Sequence, residues 1–186
     1  IKSLHSGIDT RYKQQIIFAG RLSKEKGIIT VLEAAKKLPQ EINLIIIGSG
    51  PEEKTVLNYE KIYDNIHYLG YQSKEKTMPL IRGSILLIQP SFVEGISGTL
   101  LEAMACKVPI IATNVGGNKE LLGNNGAGIL IEPGDSKILL KKILELIKDK
   151  TLREKISESA YHEVQKYDWS NIGQLYLNLY EKILKS

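Results

Sequence analysis

Residues 85–112 read ILLIQPSFVEGISGTLLEAMACKVPIIA. An apolar run, ILLIQ (85–89), is followed by a glycine-bearing turn, a stretch with helical spacing, GTLLEAMAC (98–106), and a second apolar run, VPIIA (108–112). That order is a strand, a helix and a strand. Both strands are apolar throughout instead of alternating, which is what strands covered on two faces require, so the segment predicts parallel strands in a sheet sandwiched by helices.

The same unit repeats outward from this stretch. Apolar runs recur at IIFA (16–19), INLIII (42–47), IHYL (66–69) and GILI (128–131), and IITVLEAAKKL, PEEKTVLNYEKI, KEKTMPLIR and NKELL between them carry helical spacing. Beyond the sixth run the chain is helical: DSKILLKKILELIKDK, LREKISESAYHEVQKY and SNIGQLYLNLYEKILK. The expectation is an α/β fold, a doubly wound, Rossmann-like parallel sheet of about six strands with helices on both faces and further helices at the carboxyl end. Right-handed crossovers favour the order 3-2-1-4-5-6, which sets strands 1 and 4 side by side at the topological switch point, where ligands bind.

Composition narrows the function classes. The 186 residues suit one domain, and 42 % apolar with 25 % charged side chains matches soluble globular proteins. The net charge of +4 comes from 25 basic and 21 acidic residues scattered along the chain, which gives no basic stripe for nucleic acid. Cys106 is the single cysteine and reads as a structural thiol in a reducing compartment, and His5, His67 and His162 lie too far apart for a metal site. The chain starts at Ile1 without a signal-peptide pattern, so a piece of a longer protein is expected.

At the switch point the loop after strand 1 is GRLSKEKG (20–27) and the loop after strand 4 is PSFVEGISG (90–98). Arg21, Lys26, Glu94 and Glu102 thereby converge on one cleft, with two cations expected on one side and two carboxylates on the other. Such a cleft suits a ligand carrying both phosphates and hydroxyls, a nucleotide-sugar. Gly95 and Gly98 allow backbone N–H groups to approach, and the helix starting near Gly98 aims its positive end at the phosphates. GSGPEE (48–53) reads as a tight strand-to-helix turn with Pro51 at the first helical position, in preference to a direct phosphate contact.

These residues carry a family resemblance. FAGRLSKEKGI, LIIIGSGPEE, IHYLGY and PSFVEGISGTLLEAMACKVPIIATNVGGNKELL, in this order, resemble the carboxyl-terminal, donor-binding half of retaining family 4 glycosyltransferases of the GT-B fold. The seven residues between Glu94 and Glu102 are that family's signature spacing, and LHSGIDT resembles its interdomain hinge. The resemblance implies a hinge segment over 1–12 and a donor-binding domain over 13–186, with the acceptor-binding amino-terminal domain absent. It implies that Arg21 and Lys26 bind the donor diphosphate, that Glu94 approaches the transferred sugar and that Glu102 holds the ribose hydroxyls. Gly20 and the amides of Gly95, Ile96, Ser97, Gly98 and Thr99 would line the sugar and phosphate site, and Gly70 and Tyr71 would border the base. Glu94, Arg21 and Lys26 are the catalytic candidates.

The implied partners are a nucleoside-diphosphate sugar as substrate and a glycan or lipid-linked acceptor bound by the other half, with no cofactor and, for want of an Asp-x-Asp pair, no metal. The closest functional likeness is to bacterial enzymes of surface polysaccharide or lipopolysaccharide synthesis, which implies a cytoplasmic address, compatible with peripheral association at the inner face of the membrane. The isolated domain is expected to bind donor and transfer little sugar. Lys107 departs from the family, which usually has glycine there, so the helix before it is expected to end differently. Trp169, Tyr176 and Tyr180 are expected either to pack on the sheet or to stand exposed as a surface for the missing half.

Rival readings remain distinguishable. A dinucleotide dehydrogenase needs G-x-G-x-x-G after strand 1, where this chain has GRLSKE. A glucan phosphorylase needs a pyridoxal-binding lysine, for which Lys119 is poorly placed. A sugar-nucleotide epimerase would release free nucleotide without any acceptor, and a non-catalytic sugar-nucleotide-binding module would bind without transfer.

Overall fold

The computed structural model describes residues 12, 14–123 and 126–185. Six strands form one parallel sheet: β1 Gln15–Ala19, β2 Asn43–Ile47, β3 Ile66–Tyr68, β4 Leu86–Gln89, β5 Ile110–Thr113 and β6 Ile129–Ile131. Their order is β3-β2-β1-β4-β5-β6, the doubly wound order expected. The proposed hinge, residues 1–12, lies outside the described residues except for Tyr12.

The helices are α1 Ile28–Ala35, α2 Glu53–Ile62, α3 Lys74–Arg82, α4 Gly98–Ala105, α5 Gly116–Leu122, α6 Ser136–Lys148, α7 Lys150–Val164 and α8 Trp169–Leu184. Each strand splits its apolar residues between two faces because successive side chains point oppositely. Ile16 and Phe18 of β1, Leu44 and Ile46 of β2 and Leu86 and Ile88 of β4 pack with Leu32 of α1 and Leu139 and Ile143 of α6. Ile17, Ile45, Leu87 and Ile110 pack on the other face with Ile81 of α3, Leu100 and Met104 of α4 and Val164 of α7. Burying both faces explains why the strand sequences carry no polar alternation. Each fully buried Leu or Ile contributes about 1.5–3 kcal/mol, so the sheet is a rigid base for the loops at its carboxyl edge.

Those loops are held together where β1 adjoins β4. The pairing Ile16↔Leu86 and Ile17↔Leu87 aligns the two strands, and the amide of Phe92 donates to the Glu25 carbonyl at 2.7 Å beyond their ends. Between them Gly27 adopts φ +73°, and a Cβ there would sit 2.0 Å from the Pro90 carbonyl oxygen. Only glycine lets the two switch-point loops come this close. A short 3₁₀ turn, Lys24–Lys26, precedes it and is too brief for periodicity to reveal.

Two local expectations are corrected. Pro51 is not at the first helical position: residues 51 and 52 form a turn, and α2 begins at Glu53. At the end of α4 the helix closes as a glycine would close it, although Lys107 occupies the position. Lys107 takes φ +57°, its amide donates to Met104 O at 3.1 Å, and the Val108 amide donates to Ala103 O at 3.0 Å, a Schellman ending. The left-handed backbone costs about 1–2 kcal/mol for a non-glycine residue. Against that cost, Lys107 Nζ lies 2.6 Å from Glu158 Oε1 and 4.7 Å from the Tyr161 ring centroid, both on α7.

Candidate functional site

The cleft at the carboxyl edge has a main cavity of about 600 Å³. Its walls come from the end of β1 (Ala19, Gly20, Arg21), the end of β2 (Ile47, Gly48, Ser49, Gly50), the entry to α3 (Tyr71, Gln72, Thr77) and Thr99 in the first turn of α4. A recess of about 50 Å³ shares Ala19, Gly20 and Thr99 with it and is lined also by Lys26, Gln89, Ser91, Glu94 and Ser97. Arg21 thus belongs to the large chamber and Glu94 to the recess, and the two spaces share walls at Ala19, Gly20 and Thr99.

Glu94 is held by a chain of hydrogen bonds that begins at a helix cap. Ser97 caps α4, its Oγ accepting from the Leu100 amide at 3.4 Å. The Ser97 hydroxyl in turn donates to Gln89 Oε1 at 3.0 Å. That bond fixes the Gln89 amide so that its Nε2 donates to Glu94 Oε1 at 2.7 Å, and Ser91 Oγ donates to the same oxygen at 2.8 Å. Lys26 Nζ completes the set at 2.7 Å. The Glu94 side chain is only 6 % exposed, so three donors and one full positive charge are what make its burial tolerable. All three act on Oε1, and Oε2 has no partner among the described residues. From below, Gly116 supports the loop: a Cβ there would lie 1.8 Å from the Glu94 carbonyl oxygen, at φ +43°.

Glu102 lies one turn beyond Thr99 on α4, and its Oε1 is 2.8 Å from Lys74 Nζ at the first residue of α3. The Glu102 carboxylate holds the Lys74 ammonium charged to above the ordinary lysine range, by hydrogen bond first and by charge second. The expected division into two cations facing two carboxylates is therefore corrected. The charges interleave as two ion pairs, Lys26 with Glu94 and Lys74 with Glu102, and Arg21 makes no ion pair among the described residues.

The other sequence candidates divide into those on the cavity walls and those beside them. Gly20, Arg21, Tyr71 and Thr99 line the main cavity, and Lys26, Glu94 and Ser97 line the recess. Tyr71 is 77 % exposed at the rim. Gly70 is not a wall residue; its carbonyl accepts from the Gly48 amide at 2.9 Å and so braces the loop that is. Gly95, Ile96 and Gly98 lie outside both linings, next to residues that belong to them, and Glu102 lies outside both, three residues beyond Thr99.

Sequence reading missed Gln89, Ser91, Thr77, Lys74 and the cavity role of Gly48 to Gly50. A buried polar residue closing an apolar strand is a usable signal for Gln89, whereas Lys74 sits in an ordinary charged helix start and carries none. GSG, for which the turn is the preferred expectation over ligand contact, is both a turn and a cavity wall.

Elsewhere, His67 packs in an aromatic stack with Tyr12, ring centroids 4.3 Å apart, and its Nε2 lies 2.8 Å from Asn43 Oδ1. Among the described residues no three of His, Cys, Asp and Glu gather as a metal-ligand group, and no helix is long and apolar enough to cross a membrane. Trp169 is 85 % exposed, and Tyr176 and Tyr180 are exposed with it; α8 buries none of its residues. Of the two expectations for this helix, exposure is the one observed.

Comparison with known proteins places this geometry. A family model described as glycosyl transferases group 1 matches residues 7–163. The N-acetyl-alpha-D-glucosaminyl L-malate synthase of Bacillus anthracis is 32 % identical over 176 residues, covering 91 % of this chain and 46 % of that protein. The N,N'-diacetylbacillosaminyl-diphospho-undecaprenol alpha-1,3-N-acetylgalactosaminyltransferase of Campylobacter jejuni is 28 % identical over 175 residues, covering 94 % of this chain and 46 % of that one. The chain spans about half the length of the curated relatives it matches. Among solved structures, the C-terminal domain of the group 1 family protein LpcC from Francisella tularensis superposes with a TM-score of 0.73 at 26 % identity, over 87 % of this chain and 94 % of that one. With the family model covering most of its residues, the chain belongs to the group 1 glycosyltransferases.

Proposed function

We propose that this chain is the donor-binding domain of a retaining glycosyltransferase that moves a sugar from a nucleoside-diphosphate sugar to a glycan or lipid-linked acceptor, in bacterial surface polysaccharide or lipopolysaccharide synthesis. The observation that carries the reading is the wall of Ala19, Gly20 and Thr99 common to two spaces: a chamber lined by Arg21, which makes no ion pair among the described residues, and a recess bearing the half-satisfied carboxylate of Glu94. A nucleoside diphosphate fits the first and a hexose ring the mouth of the second. Arg21 forks onto the diphosphate, and the Glu94 Oε2, without a donor among the described residues, accepts from a sugar hydroxyl.

Cleaving the bond between the anomeric carbon and the diphosphate builds negative charge on the leaving phosphate. Arg21, Lys26 and the amino end of α4 are the groups that stabilise it, without a divalent cation in this account. Lys26 acts while still bonded to Glu94, which ties the sugar contact to the phosphate contact. Glu94 is assigned a positioning role, its Oε1 held by three donors and its Oε2 accepting from the sugar. The acceptor and the remaining catalytic groups come from a second domain.

The test is a thermal-shift panel with UDP, GDP, ADP and NAD, each with and without EDTA. One nucleoside diphosphate at 100 times its dissociation constant is expected to add about 2.7 kcal/mol of stability, unchanged by EDTA. A response to NAD alone would refute the assignment.

A further inference from the structure

We infer that Lys74, a residue outside the donor-site motifs, positions Glu102 and thereby sets discrimination between ribose and deoxyribose in the bound nucleotide. The inference rests on the donor-site reading above, with Glu102 on the ribose hydroxyls as the resemblance implies. Glu102 has one partner among the described residues, the Lys74 ammonium at 2.8 Å from Oε1. The Glu102 side chain is 25 % exposed, so packing confines its stem while the Lys74 contact orients its carboxylate.

The placement makes the contact consequential. Lys74 opens α3, between Gln72 and Thr77, which both line the main cavity, and Glu102 follows Thr99, which lines it from α4. The ion pair therefore bridges the two helices that flank one side of the chamber. With Oε1 held, Oε2 is left as the acceptor, and a carboxylate whose second oxygen is oriented is suited to the paired hydroxyls of ribose, which are donors. A site built to bond a hydroxyl discriminates against the analogue lacking it only as far as its acceptor is held in place.

Lys74 is thus a positioning residue, and its removal should change selectivity more than affinity. Lys74 is 63 % exposed, so the share of the pair is modest. The Kd of the tightest binder among UDP, GDP and ADP is to be compared with that of its 2′-deoxy counterpart, for wild type, Lys74→Met, Lys74→Arg and Glu102→Gln. The wild type is expected to favour the ribonucleotide. Lys74→Met should lower that preference about two- to fivefold, mainly through the ribonucleotide, while Lys74→Arg retains it. Raising the salt concentration should erode the wild-type preference and leave that of Lys74→Met unaltered.

If the wild type binds a nucleoside diphosphate and prefers ribose while Lys74→Met keeps the same preference, the inference is wrong and the donor site stands. If Glu102→Gln also keeps it, the ribose role of Glu102 fails as well. Absence of binding to any of the three nucleotides overturns the donor-site reading and this inference together.

Discussion

Lys26 and Glu94 are 68 residues apart in sequence and meet at 2.7 Å, Nζ to Oε1, across the junction of the loops that follow β1 and β4. The pair shows that the switch-point loops are joined by charge as well as by backbone, and that the buried carboxylate depends on its cation. Lys26→Ala should cost about 1–3 kcal/mol of folding stability, because Glu94 loses a charged donor in a nearly closed site. Glu94→Gln alone removes the charge that needs compensation. In a double-mutant cycle the two substitutions should be non-additive, the double variant recovering part of the loss from Lys26→Ala. Urea denaturation of the four proteins measures this, and strict additivity would show that the pair is a surface decoration.

Gly27→Ala should be among the most damaging single changes. It places a side chain at φ +73° and 2.0 Å from the Pro90 carbonyl oxygen. Backbone strain costs about 1–2 kcal/mol and overpacking about 1–3 kcal/mol. A melting temperature within a degree of wild type would mean that the loops part without penalty.

The Schellman ending at Lys107 makes a relative prediction. In the left-handed position glycine is preferred to alanine by about 1 kcal/mol, so Lys107→Gly should be more stable than Lys107→Ala by that amount. Lys107→Gly should lie within about 1 kcal/mol of wild type, since relief of strain offsets loss of the contacts to Glu158 and Tyr161. Thermal melts of the three proteins decide it, and an alanine variant as stable as the glycine variant would contradict the backbone argument.

His67 gives a pH dependence of definite sign. Burial against Tyr12 pushes the imidazole below its ordinary value, the nearby Glu60 opposing this only in part. The unfolded chain, with a pKa near 6.5, therefore takes up a proton at a higher pH than the folded one. Stability contributed by neutral His67 is present above about pH 6.5 and declines as pH falls toward the lowered folded value. Denaturation between pH 7.5 and 5 should show that decline, and His67→Gln should flatten it. An unchanged slope in the variant would assign the acid sensitivity elsewhere.

The fold was legible because its signal is local and repeated. Runs such as INLIII and ILLIQ are apolar on both faces, and their alternation with helical stretches dictates a doubly wound sheet, in the order observed. The residues around the cleft were legible where they belong to its loops, as Arg21, Lys26 and Glu94 do. The pairing was not. Lys26 was expected to face the carboxylates across the cleft, yet it bonds to one of them, and Lys74 reaches Glu102 from a helix whose start looks like any solvated surface. Such choices depend on side-chain geometry between elements, which periodicity does not encode. The same holds for Lys107, whose partners on α7 are 51 residues or more away and allow a lysine where glycine is the simpler choice.

The proposed grip of the Arg21-lined chamber on a diphosphate underlies the whole assignment. Calorimetric titration of wild type and Arg21→Ala with the nucleoside diphosphate that stabilises the protein most tests it directly. A charged hydrogen bond of about 1.5–3 kcal/mol predicts binding weakened roughly 10- to 150-fold in the variant, with its melting temperature unchanged. Equal affinity for the two proteins would contradict the account.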